Sequence, residues 1–584
     1  MRAVRAISLL GVFALAKIVG LIGYSIPLSG WSPFAYFWQD ALAVLIFAAL
    51  DSAVRWRWLG WGLYAVAVAY AALNVPLIRV LSSPLTWPML RATRGTLSDS
   101  IKHHATMENL TLMLLVIAAG IGLPYLLRNL KLKRWGLAAT AALSLALLGP
   151  LASSRMETIG LHRNAALALV ATSWPRIASK AASDDWRSSP FDQEVSDDLS
   201  HLRGAAMGRN VVMIALESTG AQYLRPYGAP ANPMPHLTEL ARQAILFEHA
   251  YAVYPESIKA LFSVLCAQYP AMDTEAESYA ELTTPSIAAL LADTGYRTAL
   301  FHSGRFMYLG MEAIIRNRGY QTLEDAGAIS GEHESSFGVD EASTIRRIFS
   351  WLDALKRDER FFLTYLPIAG HHPYDTPKAG PFPDRNDADR YLNALHYADA
   401  SLGQLMRGLR ERGLDQNTLF VIFGDHGEAF GQHEGNYGHS LFLYEENLRV
   451  PYLIIAPGLI SEQMRVARAA SLIDTAPTIL DLLGLKAPPA YQGKSLLEGG
   501  EQMALFYTDY SLSLLGLRDG CWKYIHELES GRSKLFDLCR DAEERNDLAR
   551  LHPERIAAYR AHLQRWGAAQ KAQIVQTVDS ALKR

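Results

Sequence analysis

Cysteine is scarce in this chain: Cys266, Cys521 and Cys539 are the three among 584 residues. So few thiols, so spaced, form neither a metal-binding cysteine cluster nor a dense disulfide framework. Cys521 and Cys539 flank one short C-terminal segment, which leaves two readings: a single disulfide in an oxidising compartment, or two buried free thiols. An excess of charge of either sign is also missing. The 56 Lys and Arg stand against 58 Asp and Glu, so composition points to no nucleic-acid partner and no acidic tail. Apolar residues are unevenly spread. They crowd the first quarter, and the remainder reads as an ordinary soluble domain. At this length more than one domain is expected.

Residues 6–28 are apolar apart from Lys17 and a few serines, and long enough to cross a bilayer. Residues 34–50, 59–78, 110–127 and 135–152 follow in the same style, the second and fifth stretches being short. A cleaved signal peptide would account for the first stretch only, so five spans are expected. Arg2 and Arg5, then Arg55 and Arg57, then Arg128, Lys131, Lys133 and Arg134 fall on one side of such a bundle. Positive charge marks that side as cytoplasmic, and an odd span count delivers the rest of the chain outside the plasma (inner) membrane. Lys17 and Asp40 lie inside apolar segments, where they either pair with each other or serve a function. The connection 81–107, with Trp87, Arg91, Arg94 and Lys102, is either a surface segment lying on the outer membrane near the site or a plain loop.

The division that follows is a transmembrane bundle over 1–155, a juxtamembrane linker over 156–208, a catalytic α/β domain over 209–500 and a C-terminal subdomain with a helix over 501–584. One helix is expected near 164–173 within the linker. In the soluble part, strand-like runs at 298–302, 361–366, 419–423 and 451–455 join a first one opening at Asn210. Helical patterns at 234–243, 286–293, 340–355 and 390–412 alternate with them. Such alternation predicts a mostly parallel sheet covered on both faces. After residue 502 short strands at 505–509, 514–518 and 522–527 predict a small antiparallel subdomain.

The chemistry is concentrated in Leu419-Phe-Val-Ile-Phe-Gly-Asp-His-Gly-Glu428. An apolar run entering Gly-Asp-His-Gly is how a buried strand ends at the carboxyl edge of a sheet, where open α/β folds bind ligands. Asp425 beside His426 offers oxygen and nitrogen to a divalent cation; the alternative is that Asp425 caps a helix. Gly424 and Gly427 are read as allowing a tight turn. The run Asn210-Val-Val-Met-Ile-Ala-Leu-Glu-Ser218 ends the same way, at Glu217. In Tyr254-Pro-Glu-Ser-Ile-Lys-Ala-Leu-Phe262, Ser257 enters an apolar helix, either as its cap or as a nucleophile favoured by metal and helix dipole.

Together with these, Pro233-Met-Pro-His-Leu-Thr-Glu-Leu-Ala241, Gly295-Tyr-Arg-Thr-Ala-Leu-Phe-His-Ser-Gly304, His371-His-Pro-Tyr374, Val450-Pro-Tyr-Leu-Ile-Ile-Ala-Pro-Gly458, Leu472-Ile-Asp-Thr-Ala-Pro-Thr-Ile-Leu480 and Lys534-Leu-Phe-Asp-Leu538 stand in a set order. Over residues 209–550 the chain resembles the sulfatase branch of the alkaline phosphatase superfamily. With five spans in front, it is similar to lipoteichoic acid synthases and lipid A phosphoethanolamine transferases. The resemblance implies Glu217, Ser257, Asp425 and His426 as metal ligands, Ser257 as nucleophile, and His371 and His439 as catalytic histidines. His433 is a rival to His439, because the spacing from His426 departs from the family pattern. Lys259 and Arg305 are candidate phosphate contacts, and Lys523 a weaker one.

Zinc or manganese is expected ahead of calcium or magnesium. The implied partners are a membrane phospholipid donor and a cell-envelope glycolipid or glycan acceptor, acting on a monomer. The implied reaction transfers a phosphoethanolamine- or phosphoglycerol-type head group. Sulfatases instead convert Cys or Ser to formylglycine within a Cys/Ser-x-Pro-x-Arg pattern, and Ser257-Ile-Lys-Ala-Leu261 lacks both the proline and the arginine. The segments around Trp522-Lys-Tyr524 and Lys534–Leu538 are nonetheless similar to sulfatases, which keeps a sulfuric ester hydrolase or a phosphodiesterase as the alternative. A binding protein on a degenerate enzyme fold is the remaining class.

Overall fold

The computed structural model describes residues 2–26, 28–92, 102, 104–129, 132–177, 184–191, 198–280, 282–335, 337–500 and 503–582. Five helices are long and apolar enough to cross a membrane: α1 (Arg2–Gly20), α2 (Ser32–Ala53), α3 (Arg57–Leu81), α5 (Met107–Leu127) and α6 (Leu132–Arg155). A short α4 (Trp87–Ala92) stands between α3 and α5, and α7 (Ala165–Ala171) follows α6. The two stretches that look short in sequence are full-length helices, because α2 and α6 continue through polar end residues such as Asp51 and Arg155 that belong to the interface rather than the hydrocarbon. The chain is a multi-pass membrane protein.

Apolar faces of α1, α2, α3 and α5 meet around Val12, Phe13, Val44, Val75 and Val116. α6 packs along α2, and a Cβ on Gly149 would lie 1.9 Å from Trp38 Cβ, so glycine is what lets the two backbones approach. Two buried ion pairs mark the two ends of the bundle. Arg5 holds Asp51 at 2.7 Å at one end. At the other, Lys17 meets Asp40 at 3.3 Å and also donates to the Leu161 and Arg163 carbonyls. Lys17 and Asp40 thus pair with each other, and the charge that would be costly alone in hydrocarbon is matched. Arg2 donates to the Val54 carbonyl, so the first two basic clusters share the end of the bundle away from the soluble domain.

The soluble domain grows from a nine-stranded sheet in the order β11-β2-β10-β6-β1-β5-β3-β4, with β9 paired to β2. Its strands are β1 (Asn210–Leu216), β2 (Ile245–Tyr251), β3 (Arg297–His302), β4 (Thr322–Glu324), β5 (Phe361–Leu366), β6 (Thr418–Gly424), β9 (Arg449–Val450), β10 (Tyr452–Ile455) and β11 (Met464–Ser471). β1 lies in parallel between β5 and β6. Val211, Met213 and Ala215 face one core, and Val212, Ile214 and Leu216 the other. That two-sided burial is why the strand reads as an unbroken apolar run.

β10 departs from the expected parallel run and pairs antiparallel with both β6 and β2. The connection from Gly424 stays at the carboxyl edge, so the chain re-enters the sheet from that edge and must run back. β2 and β11 are missing from the sequence reading because Glu248, His249, Arg465 and Arg468 interrupt their apolar pattern.

The C-terminal sheet β12 (Met503–Thr508), β13 (Leu514–Asp519), β14 (Trp522–Glu527) and β15 (Ser533–Asp537) is antiparallel throughout, and a helix over Pro553–Leu582 follows it. Cys521 and Cys539 form a disulfide at the shared end of β14 and β15, while Cys266 is a buried thiol.

The bundle docks on this domain through several polar contacts. Thr86 donates to the Tyr510 carbonyl at 2.6 Å and Arg163 to the Ser511 carbonyl at 3.0 Å. Arg91 of α4 pairs with Glu275, so α4 lies against the catalytic domain; residues 93–101, Arg94 among them, fall outside the described residues. The linker is no free tether either: Leu199 and Gly204 donate to the carbonyls of Leu497 and Asp481.

Candidate active site

The carboxyl ends of β1 and β6 lie side by side, so Glu217, one residue past β1, meets Asp425 and His426, just past β6. The polypeptide backbones there are nearly in contact. A Cβ on Gly424 would lie 2.2 Å from the Thr219 carbonyl, on Gly427 2.1 Å from that of Glu446, and on Gly370 2.1 Å from that of Glu217. Gly424 and Gly427 have no positive φ; their role is close approach rather than the tight turn read from sequence. Ser218, in contrast, has φ of 51°, an uncommon conformation for a residue with a side chain. Its N–H donates to Asp425 Oδ1 at 2.9 Å and its hydroxyl to Glu217 Oε1 at 3.0 Å, which holds both carboxylates in place.

Ser257 is the first residue of the helix Ser257–Cys266, but not its cap. Glu256 caps it, accepting from the Ile258 N–H at 2.9 Å. The Ser257 hydroxyl is therefore released from capping and donates to Glu217 Oε2 at 2.9 Å, with His426 Nε2 3.3 Å away. His426 Nδ1 faces the Gly427 carbonyl at 3.0 Å, which directs Nε2 at the cluster, 3.5 Å from Glu217 and 3.7 Å from Asp425. Two carboxylates, one imidazole nitrogen and one hydroxyl converge. Among the described residues no Lys or Arg pairs with either carboxylate.

This donor set calls for positive charge. Burial and then the Glu217 charge push Asp425 up to about 6. Burial also opposes ionisation of Glu217, yet the hydrogen bond and charge of His426 outweigh it and hold its carboxyl well below the usual range. Against its own burial, His426 is raised to about 10 by Asp425 and Glu217. A divalent cation among these groups would satisfy the same oxygens, and the mixed oxygen and nitrogen donors fit such an ion.

Three more histidines and a carboxylate surround the cluster. The His439 ring centre is 4.2 Å from that of His426, and its Nδ1 meets the buried Glu428 at 2.8 Å. Tyr374 donates to the other Glu428 oxygen at 2.8 Å. The His371 ring centre is 6.3 Å from that of His439, with Nδ1 on the His372 carbonyl at 2.7 Å, and burial lowers its proton affinity. His302, at the end of β3, places Nδ1 on the Leu366 carbonyl at 2.9 Å, and burial lowers its proton affinity against that contact and the Glu217 charge. Sequence reasoning assigned no role to Glu428 or His302. The signal was present for both, an apolar strand run ending in a polar residue at the carboxyl edge.

The other expected contacts fare differently. His433 does not join the cluster: it stacks on Tyr444 at 3.7 Å and pairs with Glu446 at 2.7 Å. Lys523 is buried between Glu445 and Glu544, at 3.0 and 2.9 Å, and does not reach the site. Lys259 is two residues from Ser257, but its ammonium is held by Asp509 at 3.1 Å and lies over the Tyr254 ring. It lines a cavity of about 680 Å³ beside the helix start rather than standing free over Ser257. Arg305, three residues beyond β3, is half-buried and pairs with no carboxylate among the described residues.

The family model named Sulfatase matches residues 209–485, and that of the N-sulphoglucosamine sulphohydrolase C-terminal domain matches 433–565. Residues 209–485, a little under half of the chain, therefore carry a sulfatase-family domain, and the second match extends it to residue 565. This domain follows the five membrane-length helices.

Mouse arylsulfatase K is 30% identical over 243 residues, which cover 36% of this chain and 43% of that protein. The lipoteichoic acid synthase-like YvgJ of Bacillus subtilis is 23% identical over 319 residues, 51% of each chain. The chain thus spans about half the length, or less, of the curated relatives it matches. Among solved structures, the lipoteichoic acid synthase LtaP from Listeria monocytogenes superposes with a TM-score of 0.51 at 19% identity, over 67% of this chain and 97% of that one. An alkaline phosphatase superfamily protein from Vibrio parahaemolyticus gives 0.53 at 20%, over 67% and 98%. These two show the shared fold.

Proposed function

We propose that this sulfatase-family protein transfers a phospho-head-group, of phosphoethanolamine or phosphoglycerol type, from a membrane phospholipid to a cell-envelope acceptor through Ser257. The observation that carries the reading is the Ser257 hydroxyl. It is free of capping duty, directed into the donor cluster, and set in a sequence without the formylglycine pattern.

Ser257 Oγ attacks the phosphorus of the donor phosphodiester, and its proton has an acceptor already in place in Glu217 Oε2. The bond from phosphorus to the diacylglycerol oxygen breaks, and that oxygen takes a proton from His439, whose ring the buried Glu428 carboxylate orients through Nδ1. In the second half the acceptor hydroxyl gives its proton to His371, whose proton affinity burial lowers, and attacks the same phosphorus. The bond from phosphorus to Ser257 Oγ breaks, Ser257 takes its proton back from Glu217, and solvent carries the proton gained by His371 back to His439. Glu217, Asp425, His426 and Ser257 would hold a divalent cation, zinc or manganese by ligand type. When bound, such an ion supplies Lewis-acid charge stabilisation and lowers the proton affinity of the nucleophile. The N-terminus of the Ser257 helix adds its partial positive charge toward the phosphoryl oxygens. Of the candidate phosphate contacts Lys259, Arg305 and Lys523, Arg305 is the one that no carboxylate among the described residues holds.

A membrane bundle docked beside the domain suits a lipid donor, and the relatives named lipoteichoic acid synthases support the same direction. On this reading the enzyme acts as a monomer, with its catalytic domain outside the inner membrane. A sulfuric ester hydrolase is the second reading, favoured by the arylsulfatase K relatives and the sulphohydrolase C-terminal match. Mass spectrometry of the enzyme trapped during turnover separates the two. A phospho-head-group mass on the Ser257 peptide is expected; sulfate there instead overturns transfer.

A further inference from the structure

Where the membrane helices meet the C-terminal sheet, the structure holds a cavity of about 410 Å³, within the roughly 300–1,000 Å³ common for ligand pockets. One wall is apolar and belongs to the spans: Trp38 and Leu42 of α2 and Pro150 of α6. The soluble domain adds the charged groups Glu527, Arg532 and Lys534 beside apolar Leu512 and Ile525. Outward on the same α6, Leu147, Leu148 and Leu151 are exposed, the surface of a helix that faces acyl chains. The cavity therefore sits at the level where hydrocarbon gives way to head groups.

Its charges are arranged in both signs. Arg532 gives Nη2 to the Ser153 carbonyl near the end of α6 and to the Met156 carbonyl, just past it, at 2.6 Å, which leaves Nε and Nη1 to face an occupant. Lys534 donates to Tyr444 at 2.7 Å and pairs with Glu157. Glu527 is half-buried and forms no ion pair with a described residue, and burial together with Glu529 pushes its carboxyl up. The lining carries as many carboxylates (Glu157, Glu527, Glu529) as cations (Arg163, Arg532, Lys534). That balance disfavours a purely anionic occupant, for which no carboxylate would be wanted.

We infer that this junction cavity binds the head group of one zwitterionic phospholipid of the adjoining leaflet. The phosphate lies toward Arg532 and Lys534, the ammonium toward Glu527, and the acyl chains run along α2 and α6. The inference concerns binding alone and stands whichever reaction Ser257 performs.

The test uses the full chain in nanodiscs of phosphatidylethanolamine and phosphatidylglycerol in equal parts, followed by native mass spectrometry after extraction. The parent is expected to retain one phosphatidylethanolamine per chain. Ser154 and Ala171 line the cavity and are exposed, so Ser154→Trp and Ala171→Trp fill its mouth without touching the core, and should lose the retained lipid. Glu527→Gln should lower the preference for phosphatidylethanolamine about tenfold, the scale of one charge-assisted hydrogen bond. Equal retention of the two lipids by the parent, or undiminished retention by both tryptophan variants, overturns the inference. A diazirine-bearing phosphatidylethanolamine tests the parent chain independently of any variant's folding. Label in the segments carrying Pro150 or Arg532 is expected, and label confined to other span faces overturns the site.

Discussion

Replacing Ser257 by alanine removes a hydroxyl whose other duties the structure has already assigned elsewhere. Glu256 caps the helix, so the loss of about 0.5–2 kcal/mol typical of a removed cap does not apply. What disappears is one hydrogen bond to Glu217 at 2.9 Å, worth roughly 1.5–3 kcal/mol to a charged acceptor at most. The half-buried setting of Ser257 puts it at the lower end. Thermal stability should therefore move by a few degrees or less, while head-group transfer falls to background. Ser257→Thr keeps the oxygen and adds a methyl group; crowding of about 1–3 kcal/mol predicts a rate lowered roughly five- to 150-fold but measurable. The assay is diacylglycerol release from phospholipid vesicles by the full chain, with intact-peptide mass spectrometry at residue 257. Parental turnover by the alanine variant would refute the covalent role. So would a residue lighter than serine at that position together with sulfate released from an aryl ester, since threonine cannot form formylglycine and both variants would then be dead.

Other outcomes follow from the same geometry. His426→Ala should lose bound zinc or manganese by elemental analysis while retaining its circular dichroism, and undiminished metal would overturn the ligand set. His439→Ala should lower transfer by about 10²–10⁴-fold, the usual range for a lost general acid. His433→Ala, which removes a ring stacked on Tyr444, should leave the chemistry near parental; the reverse ranking in a kcat comparison would reinstate His433. A reporter enzyme fused after residue 200 should be active only outside the cytoplasm, given five spans with Arg2 and Arg5 at the inner end; cytoplasmic activity would refute that orientation.

Local pattern determined a good part of this protein. Five apolar stretches are visible without any partner, because a helix in hydrocarbon must satisfy its backbone and its lipid-facing surface by itself. β1, β5 and β6 are equally plain, since strands buried on both faces must be apolar throughout. Glu217, Asp425 and His426 were legible as polar residues ending such strands. β2 and β11 were not, because their charged residues find room only where the sheet's edge and its neighbours place them. Whether Lys17 would pair with Asp40, and Cys521 with Cys539, depended on helix and strand neighbours that no local pattern names.

The choice between His433 and His439 shows the division most clearly. The two stand in one polar stretch of near-identical local character. The short hairpin of β7 (Ala429–Phe430) and β8 (Tyr437–Gly438) pairs Ala429 with Gly438, which returns His439 to Glu428 and His426 and leaves His433 in the hairpin loop against Tyr444. Likewise Lys259 sits two residues from the nucleophile in any reading of the helix, but only the packing of the C-terminal sheet brings Asp509 to take its charge. Sequence determines which segments are apolar and which chemistry each carries. Which charges meet is decided by contacts between segments far apart in the chain, and those exist only once the sheet, the hairpin and the bundle are assembled.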